Sequence, residues 1–386
     1  MRAILVGWMV ALLLVFFGGT WRYLRAADET RGIPVGIFRI KPKLSVASKY
    51  DDNLYKHETN RVGEKTLTIT PVVQFSTHWK KTAFEVNYRT SLVRHEKRES
   101  EDTADHNMGA KLTLNPTRQI EITAGADYAF NHDKRGAPDT TTTGFDTPPD
   151  DWQETGLNAG IQLTHNRLRT LLDWDYGFKE KQDLGHYWHQ VGLKLMFALA
   201  PRTSLLTQTS VKDIIYENTS VGRNSRENTI QAGLEWSGAA KTTGAFAMGY
   251  TQKAYQAGGG QDDGAMTMTG NVGWSPTTRS KLNLTTKREF NEGGATAANY
   301  VTTDVALGLN HQLRSFLTLN SNLSYTLNDY SSNLENDVYK GSLGFDYRFP
   351  RWFTLSGTYN RTNQNSNTVG SSYDANDVMV TISGGL

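Results

Sequence analysis

The sequence predicts an all-β fold: a transmembrane antiparallel β-barrel of about 18 strands, with short periplasmic turns and longer extracellular loops. Three observations predict it. Apolar and polar residues alternate strictly along short segments, tight and long connections follow one another in turn, and aromatic residues collect at the segment ends. The first two are plain around residue 115. Met108, Ala110, Leu112 and Leu114 alternate with Gly109, Lys111, Thr113 and Asn115. Asn115-Pro116-Thr117-Arg118 turns the chain, and Ile120, Ile122, Ala124, Ala126 and Tyr128 then alternate with Glu121, Thr123, Gly125 and Asp127. In a strand this period puts all apolar residues on one face and all polar ones on the other.

Composition bears on where the apolar face looks. Only 38% of the 386 residues are hydrophobic, while Gly (35) and Tyr (17) are plentiful, so one large soluble core is hard to build. Aromatics at 11% and sustained alternation exclude disorder. With no cysteine, there is no disulfide framework, thiolate metal site or thiol nucleophile.

The elements follow in order. Residues 1–26 read as a signal peptide: Arg2, an apolar run over 3–17, then small residues towards Ala26. That run is shorter than the ~20 residues of a spanning helix. Its removal takes away three arginines and no acid, moving the formal charge from +2 to −1. So balanced a chain has no nucleic-acid footprint. Residues 27–37 are a short periplasmic N-terminal segment, and 38–386 form the barrel, with first strand 38–50 and last 377–384. Between them tight turns fall at Trp79-Lys80-Lys81, Asn115-Pro116, Asn166-Arg167, Ala200-Pro201-Arg202-Thr203, Gly238-Ala239-Ala240, Ser275-Pro276-Thr277-Thr278, Leu313-Arg314 and Pro350-Arg351. Longer polar connections, such as 96–103, 132–152, 258–263, 291–298 and 363–372, separate these hairpins. Hairpins plus one strand at each end give the even total of about 18.

Trp79, Trp236, Trp274 and Trp352 sit beside short turns, and Tyr88, Tyr128, Tyr176, Tyr216, Tyr250, Tyr325 and Tyr359 near the far strand ends. Two aromatic belts mark two membrane interfaces. A soluble core has no use for tryptophans at one end and tyrosines at the other. The apolar face therefore meets lipid, and the expected partners are outer-membrane lipid and lipopolysaccharide.

The polar phase then points into a lumen wide enough to hold water. Its candidate pore-lining residues are Glu85, Arg89, Lys111 and Glu121 early in the chain, and Asp127, Asp173, Asp175 and Lys194 next. Glu235, Lys281, Lys287, Asp304, Asp346 and Arg348 complete the set. Both signs occur, among many Thr, Ser, Asn and Gln, which describes a hydrated wall without strong ion preference. Taken singly, each is better accounted for by a partner that it satisfies across the wall. No aromatic track is evident. Nothing points to an enzyme or a cofactor: the nine histidines are scattered, and His186 and His189, three apart, face opposite sides of a strand. Asp51-Asp52-Asn53 and Asp262-Asp263 read as solvated acidic loop tips rather than a metal site.

The first strand carries the most specific signature. PKLSVASKYDDNLY (residues 42–55), followed by a strand ending ITPVVQFSTHW (69–79), resembles the β-barrel porin family encoded in exopolysaccharide gene clusters, the EpsL-type outer-membrane proteins. The resemblance rests on Tyr50-Asp51-Asp52-Asn53-Leu54 and Ile69-Thr70-Pro71. It implies an outer-membrane barrel serving polysaccharide export, with exported polysaccharide and periplasmic export components as partners, and brings no catalytic residues. The chain departs from outer-membrane barrels in ending Ile382-Ser383-Gly384-Gly385-Leu386, without a terminal aromatic. The leading expectation is a passive aqueous conduit for exported exopolysaccharide. A general diffusion porin for small solutes and a structural or adhesive surface barrel are the alternatives.

Overall fold

The computed structural model describes residues 32–138, 148–182, 184–218, 222–239, 241–256, 262–294, 297–350 and 352–385. The expected signal peptide and residues 27–31 of the segment after it lie outside these, as do 139–147 of the longest connection. A short strand, β1 (Ile33–Val35), precedes the long ones: β2 (Phe38–Asp51), β3 (Glu64–Trp79), β4 (Thr82–His95), β5 (Thr103–Leu114), β6 (Ile120–His132) and β7 (Asp151–His165). Next come β8 (Leu168–Glu180), β9 (His186–Ala200), β10 (Thr203–Tyr216), β11 (Ser225–Ala239), β12 (Thr242–Tyr255) and β13 (Asp263–Thr277). The last are β14 (Ser280–Glu292), β15 (Asn299–Arg314), β16 (Leu317–Tyr330), β17 (Glu335–Arg348), β18 (Phe353–Ser366) and β19 (Tyr373–Gly385).

From β2 to β19 each strand pairs antiparallel with its sequence neighbour, and β19 pairs back onto β2. The result is a closed ring of 18 strands with no free edge. β1 folds back on β2 outside that ring, with Ile33 opposite Ile40. Barrel strands of 12 to 16 residues exceed the ~9–11 that a tilted strand needs to cross the hydrocarbon.

The register shows what each face meets. Met108 lies opposite both Tyr88 and Tyr128, and Leu307 lies opposite both Leu284 and Leu323. These side chains are on the outside: Leu323 is 61% exposed and Leu343 62%. Fully buried apolar residues are few by comparison. Among the described residues they include a cluster of Met196, Leu206 and Ala247 and another of Ala297, Tyr300 and Tyr330. A water-soluble protein would not leave a continuous apolar band outside and so little inside. The band is a lipid-facing surface.

Two-residue turns such as Lys80-Lys81, Asn166-Arg167 and Pro201-Arg202 close one end of the barrel. Asn166 takes a left-handed φ of 50°, which asparagine tolerates. Two hairpins close later than the turn residues suggest, at Thr278-Arg279 and Ser315-Phe316, because bulges carry the strands past Ser275-Pro276 and Leu313. Pro276 has no N–H to give a ladder, so an unpaired bulge position suits it. The contrast in connection length also weakens, since only 331–334 separates β16 from β17.

Tyr216 departs from the expected tyrosine belt. It shares a phase with Ile214 and Lys212, turns into the barrel and is 2% exposed.

The register yields a direct test. Leu284 is outside and 42% exposed, whereas Thr285 is on the opposite phase. Arginine at Leu284 should lower folding stability in bilayers by about 2–4 kcal/mol, as near-midplane arginine does. Arginine at Thr285 should be tolerated. Equal loss from both, measured by folded yield in vesicles, would contradict the register.

Candidate lumen, seam and mouth

The Asp51-Asp52-Asn53 segment is the seam of the barrel rather than a solvated tip. It stands where β2 must stay joined to β19. The Asp52 N–H donates to the Asn376 carbonyl (3.0 Å), while its carboxylate accepts from the Asn376 backbone N–H and side-chain amide, both at 2.7 Å. Asn53, with no exposed surface, donates through Nδ2 to the carbonyls of Asp374 and His57, both 2.8 Å, and accepts the His57 N–H at 3.0 Å. Asp51 accepts from the Asn53 N–H (3.0 Å) and from Lys56 Nζ (2.9 Å). The sequence signature is thus a lock between the first and last barrel strands.

The fourteen residues expected along the pore all lie on the phase opposite the exposed apolar rows of their strands. Glu85 stands across from Lys111, and Lys287 across from Asp304. Glu235 accepts from Arg169 Nη2 at 2.7 Å. Asp346 accepts from Asn320 (2.6 Å) and Ser356 (2.5 Å), and Asp304 from the Thr326 hydroxyl. Asp127, Asp173 and Asp175 gather on β6 and β8, with Lys194 on β9. Arg89, Glu121, Lys281 and Arg348 lie on the same strands as Glu85, Asp127, Lys287 and Asp346, namely β4, β6, β14 and β17. A neutral ladder runs through Gln208, Gln231, Thr267 and Thr251, each link between 2.6 and 3.1 Å. Much of the inward phase is therefore polar groups satisfying one another, as buried polar groups must.

Two aromatic features were not legible in the alternation. Trp188 falls on the inward phase of β9, opposite Ile214 of β10 and Gly177 of β8, so the wall does hold an indole. Inward tyrosines also crowd the long-loop end, where Tyr300 and Tyr330 stack with ring centroids 5.0 Å apart.

That end is bridged. Residues 133–138, leaving β6, cross to the far wall: the Tyr330 hydroxyl on β16 donates to the Pro138 carbonyl at 3.3 Å. In a ring of 18, β16 stands half the circumference from β7. Along the way the Arg135 guanidinium donates to both oxygens of Glu101 (3.2 and 2.6 Å) and lies 5.3 Å from the centre of the Tyr55 ring. Arg98 approaches the same ring and pairs with buried Glu64. Lys181 Nζ lies 3.0 Å from Asp133 Oδ1, both side chains 4% exposed. Gly136, at φ 76°, passes beside Lys56 and Tyr373 where a side chain would be strained. Burial first, and the Arg135 charge second, hold the His57 imidazole below its ordinary range. A second bridge spans β10 to β14: Tyr216 donates to Glu292 at 2.6 Å, and Lys253 pairs with Glu227 and Glu292.

The family model described as "Putative beta-barrel porin 2" matches residues 26–384. Among solved structures, the outer membrane protein OpdK from Pseudomonas aeruginosa superposes at TM-score 0.50 with 11% identity, covering 90% of this chain and 99% of that one. OccK2 (OpdF) of Pseudomonas aeruginosa, in complex with glucuronate, gives TM-score 0.50 and 10% identity over 90% of this chain and 98% of its own. At such identities the likeness is one of fold. No curated protein matches the chain.

The seam and the bridge each make a prediction. Replacing Asn53 by Ala leaves two carbonyls and an N–H without their partner, so urea unfolding in detergent should show a loss of about 1–3 kcal/mol. An unchanged midpoint would mean that the lock is not needed. Replacing Arg135 by Ala should free residues 133–138 and raise single-channel conductance severalfold. Unaltered conductance would show that this segment does not obstruct the mouth.

Proposed function

Because the chain belongs to the family of β-barrel porins whose model spans residues 26–384 and is a porin-like barrel of the outer membrane, we propose that its lumen is a passive aqueous conduit for exported exopolysaccharide. The observation that carries this reading is the wall of an 18-strand ring lined by both charge signs and by neutral hydrogen-bonding side chains. Each sugar hydroxyl left unpaired in lipid costs a few kcal/mol, so a polymer needs a hydrated route. A wall of Thr, Ser, Asn and Gln exchanges hydrogen bonds with hydroxyls without holding them tightly. The resemblance carried by residues 50–54 supports the same reading. The fourteen inward charged residues are proposed as pore-lining, with lipopolysaccharide outside and periplasmic export components below as partners.

A second reading is favoured by one observation. The bridge formed by residues 133–138 narrows the mouth, which suits small solutes better than a chain. Diffusion of small hydrophilic molecules is then the activity.

Deletion of the gene separates the two. On the export reading, surface and released polysaccharide fall while sensitivity to small hydrophilic antibiotics changes little. If polysaccharide output is unaltered and small-solute permeability falls, the general porin replaces the conduit.

A further inference from the structure

We propose that the lumen wall over β6 to β10 carries a binding subsite for a neutral pyranose ring, with the Trp188 indole as its platform and Asp127, Asn158, Asp175 and Gln190 as its hydrogen-bonding groups. The inference deepens the conduit reading and rests on it for sugar chains in the lumen.

The site begins with two glycines. Asp127, Gly156, Gly177 and Trp188 stand side by side on four consecutive strands, each opposite the next. A Cβ on Gly177 would run into the indole of Trp188, and one on Gly156 would come within 2.5 Å of the Asp127 carboxylate. Each side chain therefore lies down over its neighbour's glycine instead of standing into the lumen. A carboxylate and an aromatic face end up adjacent and flat against the wall. Above them Glu154 faces Lys179, and below them Asn158, Asp175, Gln190 and Lys212 continue the adjoining row. All of these but Gly177 and Lys179 line a recess of about 230 Å³.

The chemistry selects the ligand. Trp188 offers a broad apolar surface, and Lys212 Nζ, 5.7 Å from its ring centroid, marks one side of it. A pyranose presents one face of C–H groups and a rim of hydroxyls. The indole takes the face, carboxylates accept from hydroxyls, and amides both accept and donate. Few precisely placed polar groups around an aromatic wall are how small-molecule sites orient a ligand. Among the described residues, the side chains of Asp127, Asn158, Asp175 and Gln190 make no hydrogen bond to the protein, unlike those of Gln208, Gln231 and Asp346 elsewhere on the wall. Their hydrogen-bonding capacity is directed at the lumen. With three acids, Asp127, Glu154 and Asp175, against the single Lys212 around the recess, a neutral sugar is accepted and a uronate repelled.

The test uses the full-length mature protein in planar bilayers, with maltohexaose as a neutral probe and oligogalacturonate as an acidic one. Maltohexaose should interrupt the current in a concentration-dependent way, and oligogalacturonate should do so far less. Trp188→Ala should weaken the maltohexaose block by about tenfold, equal to about 1.4 kcal/mol. Trp188→Phe should restore part of it. Gly177→Ala, which keeps Trp188 but lifts the indole off the wall, should weaken the block as well. A channel that conducts but is blocked equally in wild type and both alanine variants overturns the subsite and leaves the conduit standing. So does a block that calcium alone reproduces and oligosaccharide does not, since the recess would then be a cation site. Unaltered polysaccharide output on gene deletion, with the sugar block intact, removes the conduit and keeps the subsite.

Discussion

Closure of the ring is the constraint on which the rest depends. In the hydrocarbon no water is present to hydrogen-bond an exposed backbone group, so every strand needs two neighbours and the first must find the last. Here β2 and β19 meet along Asp51 to Lys43 and Asp377 to Gly385. Their ends are more than 300 residues apart in sequence, with Asp52 bonded to Asn376. Such a contact carries a large loop-closure cost and gains from being fixed by side chains as well as by the ladder. Asp52 and Asn53 provide that fixing, and Asp51 holds the Asn53 N–H and Lys56 beside them. With the ring closed, alternation does the remainder, placing leucines against lipid and charges around water.

The fold was legible because two solvents impose one period. Lipid outside and water inside select an apolar residue at every second position, and this signal survives 18 weak repeats. Turn positions were legible within a few residues, failing where a bulge at Pro276 let the ladder run on. Contacts across the lumen left no such period. The hydroxyl of Tyr330 and the carbonyl of Pro138 are 192 residues apart, and neither looks unusual in the sequence. Trp188 and Tyr216 were hidden for a related reason: alternation loosens near strand ends, and an inward aromatic there looks like a belt residue. Asp52 looked like part of a solvated tip because its partner, Asn376, comes from the far end of the chain, while Asp51 beside it is held locally by Lys56 and the Asn53 N–H.

Mouth and wall place opposite demands on the same lumen. Over β6 to β9, side chains lie across glycines of the wall rather than standing into the passage. The long-loop end is drawn together by Arg135–Glu101, Lys181–Asp133 and Lys253–Glu292. Buried pairs of this kind add little net stability, yet removing one partner is costly because the other charge stays buried. They therefore define one arrangement of the mouth rather than simply strengthening it.

The most direct measurement of closure is a disulfide across the seam, in a protein that has no cysteine of its own. Ser45 and Ser383 are directly opposite on β2 and β19, within the reach of a cross-strand disulfide. Cysteines placed at both positions should oxidise readily and turn the barrel into a covalent circle, visible as altered mobility of the unfolded chain on gels. Cysteines at Ser45 and Thr381, two residues out of register, should not link. Cross-linking of the second pair in preference to the first, or of neither, would contradict the closed ring and its register.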